Sequence, residues 1–380
     1  MLLPVFLNLS GERFSVTYQI DSDKDTVHAK VQNLAIEQTV EFPPELIPDD
    51  DIKNKIIGHV ESLVKIGEHT YEATISYAEE ITGYELVQLL NVILGNSSLL
   101  TGIRVERLDL SRNLLKAFKG PRFGRAGLRE LLGIRDRPLL CTALKPLGSP
   151  TQTLAEQAYQ FALGGIDIIK DDHGLANQTF SPFFERVQNC ATAVARANRE
   201  TGYHCIYAPN ISAPADKLFA YARFAKDYGA GALMVSPGLI GFDAMRVLAD
   251  DDSIALPIIY HPTFQGFLSS GGTIGFSHFV QYGQFTRLAG ADASIFPNQG
   301  GRFAYTREDC IRIAEGTMTP MDSIKPIFPM PGGGMLSHQL DGLLDLYGKE
   351  FILLIGGGLH RLGPDLVENS RLFRQRMEQL

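Results

Sequence analysis

Up to about residue 120, short segments of alternating apolar and polar residues are interleaved with helical ones. "RFSVTYQI" and "HTYEATISYA" place an apolar side chain at every second position, as a half-buried strand requires. Between them "TVHAKVQNLAIEQTV" has helix-compatible spacing, and "YELVQLLNVILGN" predicts a helix with one apolar face, stopped by glycine. "PPELIPDDDIKNK" predicts a loop rich in proline and acid. The opening "MLLPVFLNLSGERF" is interrupted by Pro4 and Asn8 and lacks a basic leader region, so it predicts a first strand rather than a signal peptide. These elements follow no fixed repeat, which predicts a small α+β domain over residues 1–120. "KAFKGPRFGRAGLRELLGI" is expected to connect it to a second domain, residues 121–380.

From about residue 138 the pattern becomes regular. The apolar runs "RPLLCTAL", "IDIIK", "HCIYAPN", "GALMVS", "LPIIYH", "ASIFP", "KPIFPM" and "FILLIGGG" alternate with helix-like segments. In the first of these segments, "TLAEQAYQFALGG", Leu154, Ala158, Phe161 and Ala162 share a face, and Thr153 and Glu156 have capping-box spacing. Eight buried strands, each followed by a helix, predict a (β/α)8 TIM barrel. An open doubly wound sheet is the alternative, but the strand count and the lack of an early GxGxxG favour the barrel. The fold class expected is therefore α/β, with a C-terminal barrel preceded by the small α+β domain. In such barrels the chemistry sits at the carboxyl ends of the strands.

Composition narrows the function. A chain of 380 residues is long enough for two domains. Its 35 basic and 43 acidic residues give a net charge of −8 without a basic run, which argues against nucleic acid and anionic membrane as partners. The four cysteines (Cys141, Cys190, Cys205, Cys310) are scattered, as in a reducing compartment. No apolar run approaches the roughly 20 residues of a membrane span. A soluble, cytoplasmic enzyme is expected.

Candidate chemistry lies at the strand ends. "GGIDIIKDDHG" runs the second barrel strand into Lys170, Asp171, Asp172 and His173. Alternation along the strand points Lys170 and Asp172 one way and Asp171 the other. A lysine there is either half of a structural ion pair or, as a carbamate, a source of anionic oxygen. With Asp172, and with His173 as a softer third ligand, such a carbamate would suit Mg2+. "PMPGGGM" and "LIGGGLHRLG" set Gly332, Gly333, Gly334 and Gly356, Gly357, Gly358 after strands seven and eight, where barrels commonly hold phosphate. Tight turns are the alternative use of these glycines. His261, ending strand five in "YHPTFQGF", is a structural group, a proton-transfer group or a ligand for a substrate oxygen. Lys145, ending strand one in "CTALKPLG", is a proton carrier or a solvated lysine. Arg302 lies in the loop "FPNQGGRF".

Together these residues resemble the RuBisCO superfamily over nearly the whole chain. "GGIDIIKDDHG" is similar to its GG-(L/I)-D-x-x-K-D-D-E signature, and the resemblance implies a carbamylated Lys170 binding Mg2+ with Asp172 and the residue at His173. It also implies a phosphate held by the two glycine-rich loops, with Arg302 and Asn210 as further substrate contacts and Lys145, Lys170 and His261 in the catalytic set. "LAIEQTV" and "NVILGNSS" resemble segments that place a glutamate and an asparagine, here Glu37 and Asn96, in a neighbouring subunit's site. That implies a homodimer or a multiple of dimers, without a small subunit. Several positions depart from the carboxylase pattern. His173 replaces a glutamate, the second lysine of KPK is missing from "LKPLG", Pro262 stands where an arginine follows the histidine, and the strand-six loop lysine is absent. CO2 fixation is therefore not expected. "YHPTFQG" and "FPNQGGRF" look like the RuBisCO-like, form IV branch, and the short chain with its KDDH variant most resembles the 5-methylthioribulose-1-phosphate isomerase type. That resemblance implies enolisation and proton transfer on a phosphorylated ketose in sulfur salvage. The alternatives are a decarboxylase or transcarboxylase/hydrolase acting on 3-oxo-isoapionate 4-phosphate or a similar sugar-acid phosphate, and a non-catalytic sugar-phosphate-binding relative.

Overall fold

A computed structural model describes residues 7–47, 50–335 and 339–380. Contacts divide these residues into two compact units. The first gathers the described residues up to Phe118 together with Gln265–Phe285 and Pro320–Ile324, and the second holds the rest.

In the first unit, strands β1 (Arg13–Asp21), β2 (His59–Lys65), β3 (Thr70–Ala78) and β4 (Ile103–Asp109) pair antiparallel in the order β4-β1-β3-β2. The alternation of β1 buries Phe14, Val16, Tyr18 and Ile20 in turn. Each such side chain contributes about 1.5–3 kcal/mol if fully buried. Helices Val27–Glu37 and Leu86–Leu94 bury Val31, Leu34, Leu89 and Val92. The hydroxyl of Tyr18 donates to the Ile93 carbonyl (2.8 Å) and lies 3.0 Å from that of Tyr77, so both phenols are satisfied inside the core. The expected first strand is not found where it can be seen: residues 1–6 lie outside those described, and 7–12 carry no strand. The acidic loop contains two short helical turns, Pro44–Leu46 and Ile52–Ile56, with residues 48 and 49 outside the described set.

The second unit is the barrel. Its strands are β5 (Leu139–Leu144), β6 (Ile168–Asp171), β7 (Ile206–Ala208), β8 (Leu233–Val235), β9 (Ile258–Tyr260), β11 (Ala293–Pro297), β12 (Phe328–Gly332) and β13 (Ile352–Ile355). Two parallel ladders, β13-β5-β6-β7 and β8-β9-β11-β12, meet at the bridge Asn210–Met234 and where β12 runs beside β13. Alternate strand residues, among them Cys141, Ile168, Ala208, Met234, Ile295, Met330 and Leu354, form one buried cluster that fills the interior. The strand between β9 and β11, β10 (Ile274–Phe276), leaves the barrel and pairs parallel with β4 in the first unit's sheet.

Helix Thr151–Leu163 buries Leu154, Ala158, Phe161 and Ala162, the face expected from its spacing. It starts at Thr151 behind Pro150, so Thr153 lies inside the first turn and is not the cap. The segment expected to be a plain connection contains the helix Gly124–Leu132, whose Leu128 and Leu132 join the barrel core. No helix among the described residues is long and apolar enough to cross a membrane.

Candidate active site

The register of β6 sets the site. Ile168 is part of the interior cluster, so Lys170, two residues on, continues that inward face, and Asp171 between them faces outward. Outward lies helix Phe183–Thr201, whose Arg186 is fully buried beside an equally buried Asp171. Arg186 Nε donates to Asp171 Oδ2 (3.1 Å), the Tyr207 hydroxyl to Oδ1 (2.7 Å) and the Asn210 backbone N–H to Oδ2 (3.1 Å). The two terminal nitrogens of Arg186 donate to the carbonyls of Ser181 and Ala176, each at 2.7 Å. One outward-facing ion pair thereby ties down both ends of the loop that leaves β6.

Asn210 completes the clamp. Its side-chain nitrogen donates to the carbonyls of His173 and Leu175 (3.0 Å each), and its oxygen accepts from the Ser212 N–H (3.1 Å). The side chain expected to meet substrate is thus committed to the backbone of the loop beneath it, where it acts as a positioning group.

Inside the mouth, Lys170 is 2% exposed and its Nζ donates to the Asp171 carbonyl at 3.0 Å. Burial lowers the pKa of its amine; the neighbouring Lys145 charge works in the same direction, and Asp172 opposes it. Asp172 lies just past the strand, 2.8 Å from Lys145 Nζ and 3.3 Å from His173 Nδ1. Burial disfavours its ionised form. Hydrogen bonds from His173 and Lys145, and the charges of Lys145 and Lys170, outweigh that and hold the carboxyl well below the usual carboxylate range. The His173 ring stacks on that of His261 (centroids 4.9 Å apart, planes 17° apart). Burial, reinforced by the Lys170 and His173 charges, keeps His261 neutral. The Thr263 backbone N–H donates to His261 Nδ1 (3.2 Å), so that nitrogen is the acceptor and the ring proton belongs on Nε2. The structure therefore brings Lys145, Lys170, Asp172, His173 and His261 together at one end of the barrel.

The two glycine-rich loops stand at the same end and differ from each other. After β12, Gly333 (φ +90°) and Gly334 (φ +111°) hold backbone conformations unfavourable to other residues. The Gly333 carbonyl accepts from the Arg302 N–H (2.8 Å) and the Gly332 carbonyl from that of Asn298 (3.0 Å), which joins this loop to the one after β11. Arg302 holds its guanidinium 5.5 Å from the Phe303 ring centroid. After β13, a Cβ on Gly356 would come 3.7 Å from Lys145 Cε, so this loop passes over that lysine. Gly357 and Gly358 lie in the short helix Gly357–His360, and a Cβ on Gly357 meets nothing within 4 Å. In the first unit, Asn96 donates to Glu37 (3.1 Å), and both line one cleft with Gln38, Gln88 and Asn91.

The spacing of apolar residues does not reveal Arg186 or Tyr207, because each reaches Asp171 from another element, nor Thr263, whose bond to His261 lies within an irregular loop. The one available signal for Arg186 is an arginine on the helix face that also carries Phe183, Val187 and Cys190, all buried.

Known proteins resemble this chain in sequence and in fold. Residues 124–364 match the family described as ribulose bisphosphate carboxylase large chain, catalytic domain. Over 363 residues the chain is 36% identical to a 5-methylthioribulose-1-phosphate isomerase of Rhodospirillum rubrum, covering 95% of each. It is 34% identical over 323 residues to a 2,3-diketo-5-methylthiopentyl-1-phosphate enolase of Bacillus licheniformis, covering 85% of this chain and 80% of the relative. The crystal structure of a Rubisco-like protein from Rhodopseudomonas palustris superposes with a TM-score of 0.87 at 36% identity, covering 97% of this chain and 98% of that one. The chain belongs to the RuBisCO large-chain family, among its RuBisCO-like proteins.

Proposed function

We propose that this protein enolises a phosphorylated ketose and moves the proton between carbons, with 5-methylthioribulose 1-phosphate as substrate and sulfur salvage as its setting. The observation that carries this reading is a buried Lys170 beside an ionised Asp172, whose carboxylate is held 2.8 Å from the Lys145 ammonium. The relatives named as isomerase and enolase of methylthio-sugar phosphates support the same chemistry.

Among the described residues no three His, Cys, Asp or Glu side chains gather at metal-binding spacing. Asp172 and His173 supply two donors, and Lys170 completes the set only once modified. Its amine, disfavoured as an ammonium by burial, offers the lone pair that adds CO2. The resulting carbamate on Lys170, with Asp172 and His173, would hold Mg2+; the hard oxygen donors suit that ion. When bound, Mg2+ supplies a Lewis acid that polarises the substrate ketone and acidifies the neighbouring C–H. Lys145 then stands as the proton carrier, and His261 offers its Nε2–H to a substrate oxygen. The loops carrying Gly332, Gly333, Gly334, Gly356, Gly357 and Gly358, with Arg302, hold the phosphate and so choose the carbon that meets Lys145. Glu37 and Asn96 close the site from a neighbouring subunit of a homodimer.

The test is substrate proton exchange in D2O, followed by NMR, with 5-methylthioribulose 1-phosphate and with its 2,3-diketo analogue. Exchange with conversion of the first is expected after incubation with CO2 and Mg2+, and no exchange in chelated, CO2-free buffer. Full activity in the latter buffer would remove the carbamate from the reading. Turnover of the diketone alone would shift the reading to enolisation without isomerisation. No exchange with either would end it.

The glycine loops allow a separate check. Gly357→Val meets open space at its Cβ, so it is expected to leave the fold intact and weaken a sugar monophosphate more than its dephosphorylated analogue, by about tenfold or more. Gly333→Val is a poorer probe, because φ +90° strains any side chain there and the Phe303 ring lies 3.3 Å away. Equal losses for the two ligands in the Gly357 variant would make that loop a turn only.

A further inference from the structure

We propose that Gln157 is a positioning residue for Lys145, holding its main chain so that the ammonium stays on Asp172 and in reach of the substrate carbon. This inference rests on the proposed role of Lys145 as proton carrier. β5 ends at Leu144, so Lys145 stands one residue beyond the last ladder partner of its strand. Its backbone groups no longer have a neighbouring strand to bond. Gln157, from the middle of helix Thr151–Leu163, takes over both of them. The Lys145 N–H donates to Gln157 Oε1 (3.3 Å), and Gln157 Nε2 donates to the Lys145 carbonyl (2.6 Å). One amide thus replaces two ladder bonds and fixes where the Lys145 side chain starts.

The side chain needs that fixed origin. Lys145 is half-exposed, on a flexible four-carbon stem whose rotamer freedom opposes any single placement. Two observations locate its far end: Nζ lies 2.8 Å from Asp172 Oδ1, and Cε lies 3.7 Å from the Cβ position of Gly356. The ammonium is therefore held between the β6 loop and the loop after β13. The helix contributes through its apolar side as well. Leu154, Ala158 and Phe161 are buried around the position of Gln157, so the amide is anchored by the packing of a whole element rather than by a mobile loop. An amide is also the suitable group here. A carboxylate of the same shape would face the Lys145 carbonyl with no proton to donate, and an apolar residue would leave both backbone groups unbonded.

The test uses Gln157→Leu and Gln157→Glu in the full chain, with two readouts. The first is acetylation of each lysine by an N-hydroxysuccinimide ester of acetic acid, followed peptide by peptide by mass spectrometry. Lys145 is expected to label severalfold faster in both variants, while exposed lysines such as Lys217 label at the wild-type rate. The second is kinetics, in which kcat is expected to fall about 10- to 100-fold with KM little changed, as for a displaced proton carrier. Labelling of Lys145 at the wild-type rate in a folded variant overturns the proposal whatever the kinetics show. A fall in kcat accompanied by a general rise in lysine labelling also overturns it, because the helix itself has then loosened. Should wild-type protein fail to turn over 5-methylthioribulose 1-phosphate, the substrate assignment falls while the labelling arm still decides the role of Gln157.

Discussion

Lys170→Met is expected to abolish turnover and at the same time to stabilise the barrel. The loss of activity should reach at least about 1,000-fold, beyond the 10- to 100-fold seen when only a group behind a metal ligand is removed. The gain in stability follows from burial. Lys170 is 2% exposed, it continues the inward apolar face of Ile168, and its Nζ bonds the Asp171 carbonyl. Its folded pKa lies below the ordinary 10.5, so folding disfavours the ammonium. That penalty is fully present below the folded pKa and fades as the pH rises from there towards 10.5. Methionine fills the same volume without a charge to desolvate, so it removes the penalty. The excess stability of the variant, measured by urea unfolding, should shrink as the pH rises towards 10.5. The opposite sign would restore the structural alternative. If Lys170 were half of a buried ion pair, breaking it would cost about 3–5 kcal/mol. A destabilised but active Lys170→Met would therefore sink the catalytic reading.

Arg186→Met should show the reverse pattern, with stability lost first and activity lost as a consequence. Arg186 and Asp171 are both fully buried, and among the described residues the aspartate keeps the Tyr207 hydroxyl and the Asn210 N–H when the guanidinium is removed. An uncompensated buried carboxylate costs about 3–5 kcal/mol. The carbonyls of Ser181 and Ala176 lose their donors as well, so the loop carrying Asp172 and His173 loses its anchor. Asp171→Asn in the Arg186→Met background should recover part of the loss, because it removes the charge while keeping an acceptor for Tyr207. The urea midpoint of the two variants decides. A loss of less than about 1 kcal/mol, the value of an exposed pair, would show that Asp171 does not hold the loop.

The difference between these two neighbours on one strand was half legible in the residues. Period-two alternation alone separates Lys170 from Asp171, and it does so because a strand must turn successive side chains to opposite faces. The eight barrel strands were legible for a related reason. A parallel strand buried on both faces is a continuous apolar run, and each of the eight runs became a strand. β10 was not legible. "TIGF" has no pattern of its own, and its partner β4 lies some 170 residues earlier in the chain, so pairing alone makes it a strand. The expected cap at Thr153 failed because a neighbouring proline began the helix two residues sooner.

The chain by itself determined which residues are charged at the strand ends and which way each points, since both follow from local geometry. It determined the family too, through a signature eleven residues long. Tertiary structure alone decided who meets whom. Closing the barrel brings Lys145 of β5's end onto Asp172 of β6's end, stacks His173 on His261 of β9's end, and seats Arg186 behind Asp171. It also turned Asn210 from a candidate substrate contact into a support for the loop, and brought Gln157 to the Lys145 backbone. These contacts join different elements, the nearest pair, Lys145 and Gln157, being 12 residues apart. They depend on strand stagger and helix packing, which no local pattern of residues encodes.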